Sequence, residues 1–435
     1  MRIHITILLM LFLSSGISTG QEKIFLTKEE ALANIKEKNL HIRLAQEEAL
    51  KARAAYRQTN SVFLPSVTAS HTGFLTTNPL MAFGSKLNQE ILTPADFDPA
   101  ALNDPEETRN FATVIEVQQP LINVDGFYQR RAAKLGMEAM ELQTLRSTDH
   151  MLLETEKAYM QLQLAYKAES VLQKALEAAR ENERLARNSF EQGLLQRADL
   201  LAVEVRVNEV TSQLHNAQNT IKNASNYLAF LMNEPAEGIY QPKDSLTLAG
   251  MENPNSLLSE HRADIKALEM ATHAKEMMSK ADKLAFLPRL NAFGNYQLYD
   301  NEVFQGNAQG YLVGASLTWD IFKGYQNVGK AEQSKAEYER SRLELEQYVS
   351  QSEMELNQAK RALEVAESRL DLSAKALEQS EESLRIRTNR FREGLERTTD
   401  LLMAETQYAQ KQLEYYQTIY ELNYAQAYLQ FLTKE

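Results

Sequence analysis

The sequence predicts a mixed fold, membrane β-barrel strands joined to long α-helical coiled coils, laid out as an internal two-fold repeat. Three observations lead there. A set of residues occurs twice: Phe190, Gly193, Leu194, Asp199, Leu200, Leu201 and Glu204 return about 201 residues later as Phe391, Gly394, Leu395, Asp400, Leu401, Leu402 and Glu405. After each of two aromatic-Leu-Pro steps, at Pro65 and Pro288, hydrophobic periodicity changes from 3.6 to 2. Past the N-terminus no stretch approaches 18 uninterrupted apolar residues, so any entry into a membrane is expected to be as strands.

Residues 1–20 read as a signal peptide, with Arg2 before an apolar run and the small residues Ser18, Thr19 and Gly20 before the expected cleavage. The first repeat is expected over 21–255. It opens with a helix over 27–60, where Thr27 and Glu30 form a capping-box pattern and Ile35 and Ile42 share one face. A strand pair follows at 62–76 and 110–122. Phe111, Thr113, Ile115 and Val117 alternate there with Ala112, Glu116 and Gln118. The polar, proline-containing stretch 77–110 reads as a loop between the two strands. Next come a long helix over 127–190, a tip at 191–199, a return helix over 199–232, and a linker, 233–255, able to add a small edge element. Each tip carries a glycine, Gly193 or Gly394, where positive φ ends one helix before the next begins.

The second repeat, 256–435, gives the same order: a helix to 284, strands at 288–299 and 310–322, a long helix over 325–391, a tip at 392–400 and a return helix over 400–432. Within the long helix, Leu356, Leu363, Leu370, Leu377, Leu384 and Phe391 recur every seven residues. Ala359, Ala366, Ser373 and Ser380 take the other seam position, so helix axes can approach closely. Four strands with apolar-out, polar-in alternation match an outer-membrane barrel but cannot close one, so the missing strands are expected from other copies of the chain.

Composition narrows the function. The 435 residues carry a net charge of -12 and no cysteine, which argues against nucleic-acid binding, disulfides and a lipid-bearing cysteine. The seven histidines show no ligand spacing, and no nucleophile elbow, phosphate loop or zinc motif occurs. Neither an enzyme nor a cofactor or metal site is expected.

The repeat, the order helix, strand pair, long helix, tip and return helix, and the twin Gly-Leu to Asp-Leu-Leu tips resemble the TolC family of outer-membrane efflux ducts across essentially the whole mature chain. The resemblance implies a homotrimer whose twelve strands close a barrel among outer-membrane lipid, continued by a helical tunnel through the periplasm. It implies an exit duct of a tripartite efflux or secretion system, passively conducting substrates handed over by an inner-membrane pump and a periplasmic adaptor. Carried over by residue, Gly193, Leu194, Gly394 and Leu395 are adaptor-docking turns, and Asp199 and Asp400 are candidate gate residues. Asp400 matches one of two family carboxylates about one helical turn apart, and Met403 stands at the second position.

Other readings stay open from the residues alone. Asp199 and Asp400 fit helix N-caps as well as a gate. The whole fits an outer-membrane-anchored coiled-coil structural or adhesive protein, or a soluble periplasmic helical hairpin.

Overall fold

The structure, a computed structural model, describes residues 23–250 and 257–435. The expected signal peptide lies outside them. In chain order the elements are β1 (Lys23–Leu26), α1 (Lys28–Lys38), α2 (Leu40–Gln58), β2 (Ser66–Thr76), α3 (Pro79–Asn88), α4 (Pro99–Asn103), β3 (Thr108–Ile122), α5 (Val124–Glu191), α6 (Arg197–Met232), β4 (Ile239–Pro242), α7 (Ala263–Leu284), β5 (Arg289–Asp300), β6 (Ala308–Thr318), α8 (Gln326–Arg392) and α9 (Thr398–Thr433). Among the described residues no helix is long and apolar enough to cross a membrane. Two compact units form, one from residues up to 46 with 144–263 and 349–435, the other from 47–143 with 264–348. Each therefore takes pieces of both sequence repeats.

The first unit is mainly helical. Thr27 and Glu30 cap α1 reciprocally, Glu30 N donating to Thr27 Oγ1 at 3.1 Å and Thr27 N to Glu30 Oε2 at 2.8 Å. The helix expected over 27–60 is broken at Asn39, a buried residue whose Oδ1 accepts from Ile42 N at 3.1 Å and whose Nδ2 donates to the Leu231 carbonyl at 2.7 Å. A side chain that caps a new helix and also ties it to α6 outweighs helix continuity. The core sits where Ile35, Ile42, Tyr159, Leu162, Leu228 and Met232 meet. Over it lies a two-stranded parallel ladder, Lys23 to Leu26 against Ile239 to Pro242, so the linker supplies a strand and the start of the described chain supplies its partner. On α8 the small seam residues Ala359, Ala366, Ser373 and Ser380 are buried, while Leu363, Leu370, Leu377 and Leu384 are half-buried.

The second unit is built on an antiparallel sheet in the order β2-β3-β5-β6, with β2 and β6 unpaired at its edges. Register puts Ala69, Ile115, Tyr296 and Tyr311 on one face and Thr68, Glu116, Asn295 and Leu312 on the other. The first face is apolar and largely bare: Tyr311, Val313 and Leu317 are 81, 74 and 66% exposed. Both hairpins are shorter at one end than expected, β2 starting at Ser66 and β6 ending at Thr318. Arg289 pairs with Thr318, and the prolines preceding β2 and β5 have no N–H with which to extend the ladder. The stretch 77–110 is not a simple loop. Pro79 and Pro99 open α3 and α4 behind the capping side chains of Asn78 and Asp98. Asp125, buried in the first turn of α5, receives a two-pronged contact from Arg289, Nη2 to Oδ2 at 2.5 Å and Nε to Oδ1 at 3.2 Å.

Candidate functional site

The two tips have one backbone. Gly193 N donates to the Phe190 carbonyl at 2.9 Å and Leu194 N to that of Ser189 at 2.8 Å. In the second copy Gly394 N donates to Phe391 at 3.0 Å and Leu395 N to Arg390 at 2.9 Å. These paired bonds close a Schellman turn, which needs a left-handed residue after the helix, and both glycines have φ of 74°. The turn presents the following leucine to solvent: Leu194 is 76% and Leu395 63% exposed.

The side chains that brace the tips differ. In the first, Leu195 and Phe190 pack onto a cluster of Ala186, Leu200 and Val203. At the position of Leu195 the second copy has Glu396, held by Arg387 Nη1 at 2.6 Å and Arg390 Nε at 2.7 Å. Leu402 of α9 joins the apolar cluster of the first tip, so the two hairpins touch.

Asp199 and Asp400 are corrected in their local role. Gln196 and Arg397 are the N-cap residues, and both aspartates are half-buried three positions further on, in the first turn. There they favour the helix through its N-terminal partial charge rather than through a cap. Beside them α6 and α9 bound a groove of about 780 Å³, lined by Leu201, Val205, Leu402 and Met403 among others. Met403 is 64% exposed there, so the position that carries a carboxylate in the resemblance offers an apolar surface.

Glu405, two residues on and so on the opposite side of α9 from Met403, faces α5. Asn182 Nδ2 donates to its Oε1. Burial pushes its carboxyl up to about 6, against the opposing pull of the Arg206 guanidinium and the Asn182 bond. Its counterpart Glu204 pairs instead with Arg187 at 3.0 Å. Neither the Arg387-Glu396-Arg390 clamp nor the Glu405 contact was read from the sequence. The unlike residues at the aligned positions 195 and 396 were the available signal. Among the described residues no group of His, Cys, Asp and Glu able to hold a metal occurs.

Known proteins place this geometry. Solved structures share the fold: a membrane protein of Pseudomonas aeruginosa (19% identity, TM-score 0.81, 93% of each chain covered), the CmeC outer membrane channel of Campylobacter jejuni (16%, 0.80, 93% of this chain and 85% of that one) and the outer membrane protein VceC of Vibrio cholerae (16%, 0.78, 93% and 95%). No curated protein sequence matches the chain significantly. The family model described as outer membrane efflux protein matches residues 31–234 and again 255–433, together nearly all of the described chain. With both repeats matched and both turns built alike, the chain belongs to the outer membrane efflux protein family, the TolC-like conduits of the outer membrane, which are not enzymes.

Proposed function

We propose that the chain is the exit duct of a tripartite efflux or secretion system, a homotrimer through which substrates from an inner-membrane pump and periplasmic adaptor pass passively. The observation that carries this reading is the open four-stranded sheet, with one bare apolar face and two unpaired edges. Exposed edges and a bare apolar face are stable in lipid only if further strands close the sheet, and three copies supply twelve. The half-buried leucines of α8 support the same assembly, since their unburied side offers a seam to a neighbouring copy.

In this reading Gly193, Leu194, Gly394 and Leu395 form the adaptor-docking surface. Two exposed leucines on rigid turns suit an apolar contact with a partner helix. Asp199 and Asp400 are the candidate gate, with the groove containing Met403 beside them. Conduction needs no chemistry from the chain, only a water-filled lumen lined by the polar face of the sheet. The test is single-channel conductance of the purified protein in planar bilayers, wild type against Asp199→Ala with Asp400→Ala. Small cation-selective currents that enlarge in the variant are expected. Absence of current from protein shown to be inserted and trimeric would overturn the reading in favour of an anchored stalk.

A further inference from the structure

The segment between β2 and β3 spans 77–107, against 301–307 between β5 and β6. It is a built element. Asn78 Oδ1 accepts from Met81 N at 3.3 Å and Asp98 Oδ1 from Ala100 N at 2.8 Å. Lys86 reaches Asp96 at 2.8 Å, Thr93 N donates to the same carboxylate at 2.7 Å, and Phe83 meets Phe97 edge to face. Its helix α3 lies on the start of β3. Gln89 Nε2 donates to the Arg109 carbonyl at 2.7 Å and to Asn110 Oδ1 at 2.9 Å, and Ala82, Ser85, Gln89, Thr108 and Asn110 are all buried.

The side of the sheet is what matters. Strand alternation puts Thr108 and Asn110 on the same face as Glu116 and Gln118, the polar one. The insertion therefore folds onto the polar face. If that face lines a lumen, as in the function proposed above, on which this inference rests, α3 lies across the exit. Its outer side is apolar: Leu80 is 81% exposed, and Met81, Leu87, Ile91 and Phe97 are exposed around it. Lys86 and Asp96 neutralise each other within the patch.

A second copy of this chain is the occupant that fits. The open edges of the sheet are β2 and β6, so in a closed ring the next copy joins β2 through its own β6, and its insertion, four strands further round, folds towards the same lumen. We propose that the 77–107 insertions of neighbouring copies pack together through the exposed apolar side of α3 and form an apolar constriction at the outer exit of the duct. Such a ring restricts passage by size and by dewetting.

The absence of native cysteine makes the test direct. Leu80→Cys gives one thiol per chain, to be treated in intact outer membranes with a short bis-maleimide. Cross-linked dimers are expected. A Leu80→Cys thiol that reacts with a monofunctional maleimide and never cross-links would overturn the proposal. A second variant, Ser70→Cys on the polar face, reports passage from outside the cell. A large polyethylene-glycol maleimide should label it about tenfold faster once 79–105 is replaced by a short turn. Equal labelling rates with and without the insertion would also overturn the constriction. Failure of even a small maleimide to reach Ser70→Cys in either background would sink the duct reading itself, while the cross-link still decides whether the insertions meet.

Discussion

Replacing Glu405 by Gln should stabilise the helical unit at pH 8 and leave it unchanged at pH 4. The carboxyl is half-buried between α9 and α5, and burial, the dominant influence, raises it from 4.5 to about 6. A carboxyl raised on folding binds its proton more tightly in the native state. Its contribution is therefore fully present below about 4.5 and lost as pH rises through about 6. The upward shift corresponds to about 2 kcal/mol per chain of destabilisation at pH 8, at 1.36 kcal/mol for each pH unit. The Gln carbonyl still accepts from Asn182, so the hydrogen bond survives. The lost attraction to Arg206 is already contained in the net upward shift. Thermal unfolding across pH 4 to 8 should show wild type and Glu405→Gln coinciding at pH 4 and separating by a few degrees above pH 6. A variant less stable than wild type at pH 8 would mean that the Arg206 charge outweighs burial, refuting the reasoning.

The tip glycines test differently. Open space surrounds an added Cβ at Gly193 and Gly394, so alanine there meets only the backbone penalty of φ 74°, about 1–2 kcal/mol per site. Faster hydrogen exchange confined to the turns should follow, and unchanged protection would contradict it. Arg289→Ala strands the buried Asp125 carboxylate. With Arg289 itself half exposed, about 1–3 kcal/mol should be lost, and most of it recovered in Arg289→Leu with Asp125→Asn, read by urea unfolding. Met403→Asp puts a second carboxylate one turn from Asp400. If the mouth closes there, conductance in bilayers should fall and cation selectivity rise, whereas identical currents would place the constriction elsewhere.

What was legible in the sequence followed from local rules. A glycine after a long helix fixes a Schellman turn through its φ alone, and alternation fixes the faces of β2, β3, β5 and β6, so both could be read without tertiary knowledge. Asn78-Pro79 and Asp98-Pro99 were also local start signals for α3 and α4, masked by reading every proline in that stretch as a loop marker. The break at Asn39 and the pairing of β1 with β4 depend on partners about 200 residues away, which periodicity does not report. The aspartates were misplaced for a subtler reason: the turn closes early enough that α6 and α9 begin at Arg197 and Thr398, leaving Asp199 and Asp400 inside the first turn. Side-chain contacts between the helices, including that of Asn182 with Glu405, were invisible for the same non-local cause.

The unlike braces of the two tips make them answer to different solvents. The turn that Leu195 anchors in an apolar cluster weakens in the cold, and its own ion pair, Arg187 with Glu204, lies further along the hairpin. One clamped by Arg387 and Arg390 on Glu396 loosens as ions screen it, over a Debye length of about 8 Å at physiological strength. The two neighbouring turns thus answer to separate keys. Brine should act directly on the second turn and only indirectly on the first, so a rise in the ionic strength of the surrounding fluid would tilt the pair without any partner being bound.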